Sequence, residues 1–198
     1  MMRTAITGGI GSGKSYICRL LGDRGISVYD CDAAAKRLMR TSPTLRQQIT
    51  ALIGPEAYLA EGSLNKAVVA RFLLASEDHA RTLNAIVHPA VIDDYVKSGI
   101  AWVESAILFE SGLCREVDRV VVVTAPQEVR IARIMARDGI SRERALDWIG
   151  QQLPQEELTA RAHFEIVNDG RQPLLPQIDR LLATSPSAPK QSTTLLNS

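Results

Sequence analysis

Residues 8–15 read Gly-Gly-Ile-Gly-Ser-Gly-Lys-Ser, with glycine at four of the eight positions. A run with so few Cβ atoms cannot extend a strand or nucleate a helix. It is a place where the backbone turns tightly and another group can approach it closely. The flanks narrow the choice further. Arg3 to Thr7 is a β-type run, and Lys14 to Arg24 is an amphipathic stretch stopped by Gly25. A strand must therefore feed through the turn directly into a helix.

That arrangement has one well-understood use. The segment matches G-x-x-x-x-G-K-[ST] in full. With glycine near 7% of residues, a chance match in a chain this long arises on the order of one time in a hundred. The turn aims its N–H groups inward, and the helix amino terminus adds partial positive charge, so together they cradle a polyphosphate. Lys14 is expected to reach the β- and γ-phosphates, and the Ser15 hydroxyl to ligate Mg²⁺. The motif points to a nucleoside triphosphate with Mg²⁺ and leaves its use open.

The 198 residues suit one domain with an inserted or appended piece. Strands are expected at 3–7, 26–29, 101–109, 119–123 and 164–167. The nearly pure valine run at Arg119 to Val123 suits a central strand buried on both faces. Helices are expected at 14–24 and 33–39, from Pro126 to about Arg137, after a Ser141 cap, and from Pro173 to Ala183. Residues 43–98 read as mainly helical, with Pro43 in the first turn of a helix and breaks at Gly54-Pro55 and Glu61-Gly62-Ser63. This is too long for a simple crossover and reads as an inserted helical part, about 41–98. Strands alternating with helices predict an α/β chain with a parallel sheet covered on both faces. The Ser-, Thr- and Pro-containing stretch 185–198 has little to bury and is expected to be disordered.

Composition excludes several classes. Hydrophobic residues are 45%, charged residues 23% and the formal net charge is +1, which is not the composition of a disordered chain. A balanced charge gives no support for a nucleic-acid surface. No stretch reads as a membrane helix or a secretory signal, so no membrane partner is expected. Cys18, Cys31 and Cys114 are odd in number and lack C-x-x-C spacing, which suits packed thiols in a cytoplasmic protein.

Two further constellations carry possible chemistry. Asp30 and Asp32 follow the second strand; in extended chain they share a side and could face the phosphate cradle. One could be a general base or hold a Mg²⁺-bound water; Asp32 could equally be the N-cap of the helix that follows. Arg130, Arg133 and Arg137 fall on one helix face. With Arg142 and Arg144 beyond the Asp138-Gly139 turn, they suit a lid at about 130–155 closing over triphosphate, or a solvated basic face balanced by Glu128, Asp138 and Glu143.

The ordered set of segments resembles the dephospho-coenzyme A kinase family. Thr7 to Ser15 resembles its phosphate loop. Gly25-Ile-Ser-Val-Tyr-Asp-Cys-Asp32 resembles its G-x-x-V-I-D-A-D segment, and Leu83-Asn-Ala-Ile-Val-His-Pro89 its L-x-x-I-x-H-P segment. Leu108-Phe-Glu-Ser-Gly-Leu113 with Val117 to Val123, then Arg133, Arg137-Asp-Gly139, Gln152 and Asn168-Asp-Gly170, resemble the rest. Ala106 and Trp148 depart from it, standing where the family often has Pro and Arg.

The resemblance implies a P-loop kinase fold: a parallel five-stranded sheet flanked by helices, a helical substrate-binding insertion and a helical lid. It implies transfer of the γ-phosphoryl of ATP to the ribose 3′-hydroxyl of dephospho-coenzyme A, with Mg²⁺, in a monomer or small homo-oligomer. By the same resemblance, Asp32, Lys14 and Arg137 would be catalytic. Gly9, Ile10, Gly11, Ser12, Gly13, Lys14, Ser15, Tyr16, Arg133, Arg137 and Asn168 would hold ATP. Asp32, His88, Pro89 and Glu110 would bind the acceptor. Without the resemblance, His88-Pro89 reads as a packing element at a helix start. The rival functions are a nucleoside or nucleotide kinase on the same fold, and a nucleotide switch; the N-K-x-D guanine motif of a GTP switch is absent from the sequence.

Overall fold

The computed structural model describes residues 1–184. The expected disorder at 185–198 lies outside the described residues. The chain divides into two compact units, Met1–Val28 with the segment from Ile100 onward, and Tyr29–Gly99. The second unit begins earlier than the expected 41–98 insertion.

The sheet has five strands in the order β2-β3-β1-β4-β5. They are β1 (Thr4–Thr7), β2 (Val28–Asp30), β3 (Trp102–Glu104), β4 (Arg119–Thr124) and β5 (Phe164–Val167). The β3–β1, β1–β4 and β4–β5 pairs are parallel. Every residue of β1 and β4 is buried, as unbroken apolar or β-branched runs require in strands covered on both faces. Helices α1 (Lys14–Gly22) and α9 (Leu174–Ala183) supply Ile17, Leu21, Ile178 and Leu181 to a core shared with Ile6, Val121, Val123 and Ile166.

The third strand stops at Glu104, well short of the expected 109. The Ser105 N–H bonds to Ile6 O at 3.0 Å, and two residues later β1 gives way to the glycine turn. With no ladder to join, the chain closes its own turns, Ser111 N–H to Ile107 O and Cys114 N–H to Leu108 O. Leu108 is fully buried there, so its apolar character reflects core packing rather than a strand.

Beyond β4 come α6 (Gln127–Asp138), α7 (Arg142–Gly150, capped by Ser141) and α8 (Gln155–Ala160). The sequence reading missed α8. Ile131 and Ile134 of α6 and Ala145 of α7 form a smaller core with Ile10, Ile140, Trp148 and Ile149. The edge strand β5 is closed by a side chain: Gln177 Oε1 accepts from Val167 N–H at 2.8 Å, and its Nε2 donates to Val167 O at 3.0 Å.

In the second unit, α2 (Cys31–Thr41), α3 (Pro43–Ile53) and α4 (Lys66–Ala75) pack on the long α5 (Glu77–Ser98). Ser42, Asn65 and Ser76 cap α3, α4 and α5. Leu83, Val87, Val91 and Tyr95 form the buried stripe of α5. His88-Pro89 is therefore not at a helix start. Pro89 lies inside α5, where it removes the bond residue 89 would give to Ala85 O, a loss worth about 3 kcal/mol in an isolated helix. Burial of the flanking stripe keeps the helix running through it.

Arg119 begins β4 almost fully buried, and its guanidinium donates to Leu181 O and Thr184 O at the end of α9. Nearby, His163 Nδ1 accepts from Val120 N–H at 3.1 Å, which requires an unprotonated nitrogen. Burial, then the Arg119 charge, lowers the His163 pKa from 6.5. The folded state thus holds this proton less tightly than the unfolded chain. The contribution is fully present above pH 6.5 and is lost as pH falls from there through the lower folded value. Urea midpoints measured from about pH 7 to pH 5 are expected to fall, and to fall less in His163→Gln.

Candidate functional site: a phosphate cradle and an acidic helix start

The glycine turn is shaped by what surrounds it. Gly8, Gly11 and Gly13 have φ of 145°, 78° and 93°, a region only glycine enters freely. A Cβ on Gly8 would lie 2.3 Å from Val123 O of β4, and one on Gly9 would lie 2.3 Å from Arg130 Nη2. The turn is held between β4 and α6 with no room for a side chain at Gly8 or Gly9.

Its carbonyls are tied to α6 and to the end of β5. Arg130 Nε donates to Ile10 O at 2.9 Å. Arg133 Nη1 donates to Gly11 O and Ser12 O at 3.3 and 3.2 Å, and its Nη2 to Asn168 O and Oδ1. Asn168 Nδ2 donates to Ser12 O at 2.8 Å. The Ile10 N–H goes to Gln152 Oε1 at 2.7 Å, so the segment after α7 also grips the loop. Arg130 is 6% exposed, and burial lowers its pKa. The group remains a cation next to the cradle.

The sequence-predicted residues fall into clear places. Lys14 Nζ donates to Gly8 O at 2.8 Å, so the ammonium lies over the loop. Ser15 Oγ donates to Glu104 Oε1 at 2.9 Å. Tyr16 is exposed, with the Arg19 guanidinium 5.1 Å from its ring. Of the three α6 arginines, two brace the loop, while Arg137 turns away to an exposed pair with Asp138 at 2.8 Å. Glu110 is exposed in the turn after β3. Asn168 is buried, with both ends of its amide bonded to protein.

In the second unit the two aspartates do not share an extended run. Asp30, the last residue of β2, is the N-cap of α2 and accepts from Ala33 N–H at 2.9 Å. The capping role weighed for Asp32 thus belongs to Asp30. Asp32 lies exposed in the first helical turn. His88 is half-buried on α5 and Pro89 exposed.

Sequence reasoning missed Glu104. It ends β3, which the strand order places beside β1 and hence beside the loop; only that order could have drawn attention to it. Ser15 and Glu104 together offer two hard oxygen donors. Among the described residues no group of three or more His, Cys, Asp or Glu could hold a metal. A pair of oxygens fits Mg²⁺, which takes one or two protein ligands and completes its shell with phosphate and water oxygens.

The family model described as dephospho-CoA kinase matches residues 2–173. The chain is 42% identical over 189 residues to a dephospho-CoA kinase of Bacteroides fragilis, covering 92% of each. The chain belongs to the dephospho-CoA kinase family. A crystal structure from Thermus thermophilus is 33% identical, with a TM-score of 0.73 over 91% of this chain and 94% of that one. A shikimate kinase of Bacteroides thetaiotaomicron, 13% identical, shares the fold with a TM-score of 0.54 over 91% of this chain and 96% of that one. The architecture is the P-loop kinase fold.

The tightness of the cradle has a measurable consequence. Gly13→Ala would put a Cβ 2.2 Å from Asn168 Nδ2 at a φ of 93°. It is expected to lower stability by about 1–3 kcal/mol in urea denaturation. Gly22→Ala, on α1 with nothing within 4 Å, is expected to raise it by about 0.5–1 kcal/mol.

Proposed function

We propose that this chain transfers the γ-phosphoryl group of ATP to the ribose 3′-hydroxyl of dephospho-coenzyme A, the last step of coenzyme A synthesis. Membership of the family supports the reaction. The observation that carries it to residues is the loop at 8–15, whose carbonyls of Ile10, Gly11 and Ser12 are all tied to side chains. A helix amino terminus directly behind such a loop favours an anion.

In this reading the N–H groups of Gly11 and of Gly13 to Ser15, with the Lys14 ammonium, hold the triphosphate, the Ile10 and Ser12 N–H groups being bonded within the protein. Ser15, with Glu104 beside it, would hold Mg²⁺, which would supply positive charge to the triphosphate. Arg130, Arg133 and Asn168 act from behind the loop. Arg137 is the α6 arginine that remains available to an incoming phosphate, because its partner Asp138 is an exposed neighbour rather than the loop. For the acceptor, the Tyr29–Gly99 unit offers His88 and Pro89 on α5 and Asp32 on α2, and the first unit offers Glu110 in the turn after β3.

Asp32 accepts the proton of the 3′-hydroxyl as its oxygen forms a bond to the γ-phosphorus. The bond from that phosphorus to the bridging oxygen breaks, and ADP leaves. Positioning and charge outweigh base catalysis in such transfers. The reading takes the cytoplasm as its compartment and dissolved small molecules as its partners. Among the described residues no helix is long and apolar enough to cross a membrane.

Purified protein with MgATP and dephospho-coenzyme A is expected to yield coenzyme A, read by mass as the gain of one phosphoryl group. An unchanged acceptor mass overturns the reading. Asp32→Asn is expected to lower kcat by about 10²–10⁴ with ATP binding retained. Lys14→Ala is expected to lose more, through both binding and turnover.

A further inference from the structure

Tyr29 lies in the middle of β2, and its hydroxyl has a side-chain partner on α5. The residue is 7% exposed. Its Oη donates to Asp94 Oδ2 of α5 at 2.6 Å, and its ring packs against Tyr95 with centroids 5.3 Å apart. The same Asp94 oxygen receives Arg37 Nη2 of α2, also at 2.6 Å. Two donors from one stretch of chain thus converge on one carboxylate oxygen. In sequence they bracket Asp32: Tyr29 precedes the helix start, and Arg37 lies further along the same helix.

The electrostatics agree with a fixed arrangement. Burial works against the Asp94 charge, but the Tyr29 and Arg37 hydrogen bonds hold its carboxyl below the ordinary range. Burial, then the Asp94 bond, pushes the Tyr29 hydroxyl up, so it stays a donor throughout the working range of pH. The exposed half of the Arg37 pair would add little to stability by itself. Its value lies in direction, because a helix held at both sides of its first turn cannot rotate about its axis.

We propose that Tyr29 and Arg37 are positioning residues that act through Asp94 to fix the first turn of α2, and with it the carboxylate of Asp32, against α5. This rests on the reading of Asp32 as the base on the acceptor hydroxyl. Misplacing a reacting group by about 1 Å costs up to roughly 10²-fold in rate, so the anchor affects turnover even though neither residue touches substrate.

The test is a mutant cycle. Tyr29→Phe keeps the ring and removes only the donor. It is expected to lower kcat roughly tenfold with KM for ATP unchanged. In an Asp32→Asn background, Tyr29→Phe is expected to cause no further fall, since there is no base left to position. A purely structural role would lower both backgrounds alike, and that additive result overturns the inference while leaving the base assignment intact. Wild-type turnover in Tyr29→Phe overturns it equally. Wild-type turnover in Asp32→Asn removes the base assignment and this inference with it. Arg37→Met, at a half-exposed position, carries the same cycle should Tyr29→Phe fail to fold.

Discussion

An anion can be held by neutral peptide N–H groups only if the carbonyl ends of those peptides are stabilised too. Otherwise the loop turns to satisfy them and its dipoles lose their aim. The guanidinium groups of Arg130 and Arg133 and the amide of Asn168 do this for Ile10, Gly11 and Ser12. Much of the first unit follows from that requirement. The loop must leave a strand with neighbours on both sides, which β3 and β4 provide for β1. Helix α6 must lie against the loop, and it does so with a face on which a buried arginine sits beside Ile131 and Ile134. The side chain of Ile10 joins the α6–α7 core while its two peptide groups are taken by Arg130 and Gln152.

The second unit solves a different problem with different means. A helical bundle has no convergent backbone donors to offer, so specificity has to come from side chains on helix faces. Helix α5 runs through Pro89 at a cost that only tertiary burial can offset. The cap at Asp30 and the double anchor on Asp94 then define where α2 begins. In both units polar side chains are themselves held by further polar side chains.

What the sequence made legible follows from which forces are local. The glycine turn, the valine-rich fourth strand and the Ser141 cap depend on near neighbours, and each could be read directly. The third strand was read too long because Leu108 and Phe109 look like strand residues. Leu108 is instead buried within a turn, and only the end of β1 explains why pairing stops. The start of α2 was placed at residue 33 because Asp32 looked like a cap; two carboxylates in succession left the choice open, and geometry chose Asp30. The α6 arginines were visible as a face, but the partners of Arg130 and Arg133 lie about 120 residues away in sequence. Glu104 and Tyr29 were passed over for the same reason, since their partners come from other elements.

The closure of β5 by Gln177 bears on how this molecule meets its own copies. A parallel sheet ending in a bare strand offers a template for intermolecular pairing. Here the outward peptide groups of Val167 are already matched by the side-chain amide of Gln177. Strand-by-strand growth past Val167 would first have to evict Gln177. That end of the strand is therefore already occupied, and pairing there would cost two hydrogen bonds before it gained any.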